Sequence, residues 1–311
     1  MKHSHVETNG ISLHVVEHGM GPLVLFCHGF PDTWRGWRRQ MEAVATAGYR
    51  AVAVDMRGYG ESSAPNNAAL YTPLHTVGDL VGLLDTLGVN QATIVGHDFG
   101  AVTAWNAAMM RPDRFTAVFG ISVPFQPRGA ESLLQRFRRL DRNEFYIFHK
   151  IRPEADLEWA DAAVTIPGAL YWASASPPRE LRWSPFDPLR RLNRASPVYC
   201  PEWADQADVA LEIAEFQRTG FHGPLNYYRA IEPYFQLSSA FSGMRIMQPS
   251  FFLIGKVDGV NEMRVTKEEE LRRWLPNLRG FAELDDVGHW PQLEATNAVN
   301  AALLRFLAEV R

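Results

Sequence analysis

The chain has 311 residues, enough for one large core or a core with an inserted domain, and its 46% hydrophobic and 21% charged residues are ordinary for a globular protein. A formal net charge of −4 argues against nucleic acid or an anionic membrane as a partner, and a homo-oligomer is compatible with this composition. The two cysteines, Cys27 and Cys200, form no C-x-x-C pair and fit a reduced, cytoplasmic setting. Residues 1–20 contain no apolar signal-peptide core, and no apolar stretch approaches the ~18 residues of a membrane span. Arg136, Arg138, Arg139 and Arg142 are balanced by Glu131, Asp141 and Glu144, and read as a solvated helix face.

Strand-like and helix-like runs alternate through the first 125 residues. Residues 11–16 and 23–27 are expected strands, the second running into His28-Gly29-Phe30-Pro31. Residues 34–47 read as a helix closed by Gly48, residues 49–54 as a strand ending at Asp55, and residues 76–87 as a helix stopped by Gly88. A strand at 92–95 enters a Gly-flanked turn, a helix follows over 101–110, and residues 117–123 form another strand. Such alternation predicts an α/β fold with a mostly parallel sheet covered by helices. From residue 126 to 237 the pattern turns to amphipathic helices rich in aromatics, among them Phe145, Tyr146, Trp159, Trp172, Tyr227 and Tyr228. Strand character returns at 250–254 and 281–284, before a closing helix over 293–310. The expected organisation is therefore a core of residues 1–125 and 238–311, with a helical cap domain, 126–237, inserted.

The turn after the fourth expected strand reads Gly96-His97-Asp98-Phe99-Gly100. A small-x-nucleophile-x-small turn between strand and helix is a nucleophile elbow, and its usual occupant is Ser. A carboxylate there suits displacement at an sp³ carbon, leaving an ester on the enzyme. The competing reading is that Asp98 merely caps the next helix. Two later residues weigh against it. Asp258 follows one expected strand, in Gly255-Lys256-Val257-Asp258-Gly259, and His289 follows another, in Val287-Gly288-His289-Trp290-Pro291. The order nucleophile, acid, histidine is that of α/β-hydrolases, with His289 as the base that activates water and Asp258 as its orienter. The amides of Phe30 and Phe99 are the expected oxyanion donors, since Pro31 has no N–H.

The chain resembles the α/β-hydrolase-fold epoxide hydrolases of the soluble type. The matching pieces are His28-Gly-Phe-Pro-Asp-Thr-Trp34, the segment from Asp55 to Pro65, Gly96-His-Asp-Phe-Gly100, Gly288-His-Trp290, and a cap motif from Gly220 to Arg229 ending in Asn226-Tyr227-Tyr228-Arg229. The resemblance implies an α/β-hydrolase core with a cap and no cofactor or metal. It also implies two cap tyrosines that hold and protonate the epoxide oxygen. Tyr228 falls on the second, and Tyr146 fits the first, with Phe145 beside it. Trp34, Pro31, Phe99 and Trp290 are expected to line the substrate site, and the aromatic cap suggests a small lipophilic epoxide. Haloalkane dehalogenases share the aspartate but typically carry a Trp after it, where Phe99 offers no N–H. Fluoroacetate dehalogenases use an Arg clamp that Phe99 and Val102 do not build. A catalytically silent binding module would have lost a catalytic residue, and none is missing.

Overall fold

A computed structural model describes residues 1–311. Eight strands form one sheet: β1 (Lys2–Thr8), β2 (Ile11–His18), β3 (Leu23–Cys27), β4 (Arg50–Val54), β5 (Ala92–His97), β6 (Phe115–Ile121), β7 (Ser250–Gly255) and β8 (Leu278–Leu284). Their order is β1-β2-β4-β3-β5-β6-β7-β8. The pairs made by β2 are antiparallel and all the others are parallel. Central strands of such a sheet are buried on both faces and read as continuous apolar runs, as every residue of β3 does.

Helices α1 (Arg38–Thr46), α2 (Pro73–Thr86) and α3 (Phe99–Met110) connect the first strands. Between β6 and β7 the chain forms α4 (Leu133–Arg139), α5 (Tyr146–Lys150), α6 (Ala155–Glu158), α7 (Ala162–Ala173), α8 (Gln206–Thr219), α9 (His222–Arg229) and α10 (Ile231–Leu237), without a strand. Helix α11 (Glu268–Trp274) links β7 to β8, and α12 (Pro291–Glu294) and α13 (Thr296–Glu309) close the chain. Helices α1 and α13 cover one face of the sheet, where Trp37, Met41, Leu303 and Phe306 pack on Phe26 and Phe119. Helices α2 and α3 cover the other, and that core of 58 residues runs on without a break into α5, α7 and α9. The helical block and the sheet therefore share one apolar interior.

Several elements differ from the sequence expectation. Strand β1 was not expected, because its outer positions are polar and face water; it pairs with β2 in register from Lys2↔Glu17 to Thr8↔Ile11. Helix α11 was also unforeseen, since only Leu271 of its seven residues is buried. The helix expected over 34–47 is a 3₁₀ turn, Trp34–Trp37, followed by α1. The helix expected over 76–87 starts three residues earlier, because Pro73 at its first turn lacks only an N–H that no helix needs there. The closing helix expected over 293–310 is broken at Ala295, whose φ of −131° and ψ of 45° separate α12 from α13.

Candidate active site

The turn after β5 is tight for reasons that can be measured. A Cβ on Gly96 would lie 2.1 Å from the Gly100 carbonyl oxygen, and one on Gly100 would lie 1.9 Å from that of Cys27. Asp98 at the apex has φ 52° and ψ −119°, a strained geometry for a residue with a side chain, of the kind that collects at functional sites. Its side chain makes no capping bond to α3, so the helix-cap reading fails. Instead Asp98 Oδ1 accepts the Phe30 backbone N–H at 2.8 Å. The loop carrying Phe30 comes this close because Gly29 has no side chain: a Cβ there would stand 2.3 Å from that of Asp98. His28 pins the same loop through one tautomer, with Nδ1–H donating to the Gly29 carbonyl (3.0 Å) and Nε2 accepting from the Met56 amide (2.9 Å). Phe99 opens α3, so its N–H is among the four that a helix N-terminus leaves free.

His289 Nε2 lies 3.8 Å from Asp98 Oδ2, the carboxylate oxygen that Phe30 does not hold. On the other side of the ring, Nδ1 bonds Asp258 Oδ2 at 3.0 Å. Asp258 is fully buried, and its Oδ1 accepts the Val260 N–H at 2.9 Å, so both its oxygens are committed. Burial alone would lower the His289 pKa, but the charge and hydrogen bond of Asp258, with Asp98 further away, outweigh it and raise the imidazole above the ordinary histidine value. The histidine loop is itself anchored. Glu294 accepts the N–H groups of Gly288 (3.0 Å) and Trp290 (2.9 Å), which flank His289, and that of Ala175 (2.8 Å). The His289 carbonyl accepts from His97 Nε2 (2.7 Å) and Ser122 Oγ (3.0 Å).

Helix α9 brings Tyr228 over this group, its ring 4.7 Å from that of Phe99 and 5.2 Å from that of Phe30. The preceding Tyr227 is spent elsewhere, donating its hydroxyl to the Arg57 carbonyl at 3.0 Å. Tyr146 opens α5 with its ring 6.0 Å from that of Tyr228, whereas Phe145 packs 4.2 Å from Phe137. Of these two neighbours it is therefore Tyr146, not Phe145, that stands beside Tyr228. Burial, reinforced by nearby negative charge, raises both phenols above the ordinary tyrosine value, so both stay protonated at neutral pH. The cap motif around Tyr228 is an anchoring device. Gly223 lets α9 rest on Gly58, where a Cβ would come within 2.5 Å of the Gly58 carbonyl oxygen, and Arg229 pairs with Asp156 at 2.7 Å.

The alpha/beta hydrolase fold family model matches residues 22–296. The chain is 60% identical over its full length to an epoxide hydrolase of Caballeronia sordidicola, covering 94% of that protein. It is 38% identical to epoxide hydrolase A of Mycobacterium tuberculosis, with 97% of this chain and 96% of the other covered. The chain belongs to the α/β-hydrolase-fold epoxide hydrolases. Among solved structures of the family, epoxide hydrolase A of Mycobacterium thermoresistibile superposes with a TM-score of 0.90 at 37% identity, over 99% of this chain and 98% of the other. Epoxide hydrolase VrEH1 of Vigna radiata gives 0.86 at 33%, with the same coverage.

Asp98, His289, Asp258, Tyr146, Tyr228, Phe30 and Phe99 thus converge on one place. Trp34 does not join them. Its indole stands edge-on to His3 at 5.2 Å, in the core cluster under α1 and α13, because the 3₁₀ turn that it opens directs it there. Pro31 is buried behind a cis Phe30–Pro31 peptide. Trp290 packs 5.1 Å from His289 and donates its indole N–H to the Ala169 carbonyl at 3.2 Å, so it braces the base against α7. Sequence reasoning missed Lys150, whose Nζ is 2.9 Å from the Tyr228 hydroxyl. One signal was available: Lys150 follows Tyr146 by four residues, hence on the same helix face.

Proposed function

We propose that this chain hydrolyses a small lipophilic epoxide to a vicinal diol through an ester on Asp98. The observation that carries this reading is the division of labour in one carboxylate: Oδ1 is held by the Phe30 amide, and Oδ2 is left facing His289 beneath two phenols. Oδ2 is therefore the attacking oxygen. As it displaces the C–O bond, Tyr146 and Tyr228 hold the departing oxygen and protonate the alkoxide, a poor leaving group without such a donor. The ester carbonyl oxygen is then Oδ1, already at the Phe30 N–H. Esterification cancels the Asp98 charge, one of the influences that raise His289, so the imidazole is more readily neutral when water needs a base. His289 takes a proton from water, water attacks the ester carbon, and the tetrahedral oxyanion on Oδ1 meets the Phe30 and Phe99 amides. Its collapse breaks the bond from the Asp98 carboxyl carbon to Oδ2, which leaves as the diol's second hydroxyl with the His289 proton. The re-formed Asp98 carboxyl loses its proton through His289 to solvent.

The helical block 126–237 acts in this reading as the cap that supplies the acids. No helix of the chain is long and apolar enough to cross a membrane, and the two free cysteines, one of them buried, support a reduced cytoplasmic setting.

The test is the covalent ester. His289→Gln protein incubated with styrene oxide is expected to gain the mass of one substrate on Asp98 and to release little diol. In the native enzyme a single turnover in ¹⁸O-water is expected to label the Asp98 carboxylate. Label in the diol alone, with no adduct in the variant, would overturn the mechanism.

A further inference from the structure

Lys150 is buried, at 4% exposure, and no carboxylate pairs with it. Its Nζ lies 3.6 Å from the Phe30 ring centroid, 4.3 Å from that of Tyr228 and 4.4 Å from that of Trp159. Cations settle on aromatic faces in this way, but a lysine is seldom enclosed by rings without a counter-charge. Its one hydrogen bond runs to the Tyr228 hydroxyl, at 2.9 Å. An ammonium has donors only, so the Tyr228 oxygen accepts here and the phenol's own proton must point elsewhere. No other hydrogen-bond partner holds that hydroxyl, and Asp98 is among the charges acting on it.

We propose that Lys150 is a positioning residue for the ring-opening acid: it orients the Tyr228 hydroxyl and supplies the positive charge and the proton that this phenol needs as it protonates the epoxide oxygen. The inference rests on the ester mechanism above. The step balances. The epoxide C–O electron pair goes to oxygen, the Tyr228 O–H proton moves to that oxygen, and a Lys150 N–H proton moves to the Tyr228 oxygen. The products are the Asp98 ester, a free hydroxyl, intact Tyr228 and a neutral amine. Proton release from His289 to solvent and uptake by Lys150 from solvent close the cycle.

The surroundings favour that transfer. Burial pushes Lys150 well below the ordinary lysine value, and Asp98 is the charge that opposes this. Ester formation removes the Asp98 charge, so the proton becomes easier to give up at the moment it is wanted. Lys150 and Tyr146 both line a small cleft that opens to the surface, the side from which solvent can return the proton. The titratable groups around Lys150 are Tyr146 and His149 on α5, Glu144 just before it, Tyr228 on α9, Glu158 on α6, Asp187 and Arg191 at the cavity wall, and Asp98 across the site.

Rapid-quench measurement of ester formation against pH, in native enzyme and in the variants Lys150→Gln and Lys150→Met, tests this. Native ring opening is expected to fall on the alkaline side as Lys150 loses its proton. Both variants are expected to open the epoxide at least ~10-fold more slowly, as befits loss of support for one donor at a developing oxyanion. They are also expected to lose that alkaline limb, with thermal unfolding no lower than the native protein's, and the loss falls on ring opening rather than on ester breakdown. Native-like ring opening in Lys150→Gln, or a slowed rate that keeps the native alkaline limb, overturns the role of Lys150 while leaving the ester mechanism standing. Absence of any ester in the native enzyme overturns both.

Discussion

In the proposed mechanism, replacing Asp258 by Asn is expected to separate the two half-reactions, by an amount that follows from its hydrogen bonds. Asp258 touches the chemistry only through His289, so ring opening, which consumes no base, is expected to change by less than ~10-fold. Ester breakdown has two reasons to suffer. The first is tautomeric. Asp258 Oδ1 accepts the Val260 N–H and Oδ2 accepts His289 Nδ1–H. An Asn must keep its oxygen toward Val260 N–H, so its NH₂ faces Nδ1, which then turns acceptor and leaves the proton on Nε2. Restoring the useful tautomer means opposing two buried donors, at about 1–3 kcal/mol. The second is charge: a carboxylate within ~4–6 Å favours an imidazolium by about 1–3 pK units, or roughly 1.4–4 kcal/mol. Together these give a loss of ~10²–10⁵ in ester breakdown. The pH profile carries the same information. His289 acts as a base only when neutral and its pKa is raised, so native ester breakdown falls as pH drops through a value above ~6.5. In Asp258→Asn that acid limb is expected at lower pH, with accumulated ester visible by intact mass. Slowed alkylation with native-like ester breakdown would refute the reasoning.

The other expectations concern the acids, the loop and the cap. Tyr228→Phe and Tyr146→Phe are each expected to slow ring opening by ~10²–10³, by analogy with loss of one oxyanion donor, and the double variant to approach the uncatalysed level; stopped-flow ester formation reads this, and an unchanged rate in Tyr228→Phe rejects the assignment. Gly29→Ala would press a methyl into Asp98 and move the Phe30 amide, so both half-reactions are expected to drop by ~10² or more; a fully active variant would show that the amide is dispensable. Glu212 of α8 is buried, and its pKa is raised by burial and then by Asp32, whose own pKa is raised too. The folded state therefore holds the Glu212 proton more tightly than the unfolded chain does, and stability falls as pH rises above the unfolded value of ~4.3 toward the raised one. Glu212→Gln, which cannot ionise, is expected to lose less Tm between pH 5 and pH 8 in calorimetry, and an equal loss would contradict a raised Glu212 pKa as the source of that loss.

The parallel strands and the elbow were legible in the sequence because their requirements are local. A strand buried on both faces must be apolar throughout, and Gly96 and Gly100 must lack side chains to let the turn pass. Strand β1 was not legible, since an edge strand with a wet outer face carries a polar pattern. Asp98, His289, Asp258 and Tyr228 stand in motifs, and the fold brings all four together. Trp34 lies in a motif equally well, yet its side chain points to the opposite layer, a direction that the 3₁₀ turn decides and residue identity does not. Lys150 shows the converse. In sequence it is one lysine among helix-forming residues, and only the enclosure by Phe30, Trp159 and Tyr228 makes it unusual. Phe30 and Tyr228 stand far from Lys150 along the chain, the latter 78 positions away, and no spacing rule sees such a contact.

An aspartate at this elbow also changes what the loop amide is for. A serine has one oxygen, so the amide of Phe30 would wait for a carbonyl brought by the substrate. Here the amide already holds Asp98 Oδ1, and in the proposed mechanism this leaves Oδ2 as the nucleophile. In the proposed mechanism the carbonyl needed for the second half-reaction is made on the enzyme in the first, at a position where its donor stands ready. The elbow therefore asks nothing of the substrate except a carbon that Oδ2 can reach. Discrimination passes to the helical block, where the departing oxygen must find Tyr146 and Tyr228 together. An ether without ring strain would meet the same nucleophile and the same acids but lacks the driving force to leave, and a halide would find no indole N–H at Phe99. Substitutions that alter which epoxides react should accordingly cluster on α5 and α9 rather than on the strand ends that carry Asp98, Asp258 and His289.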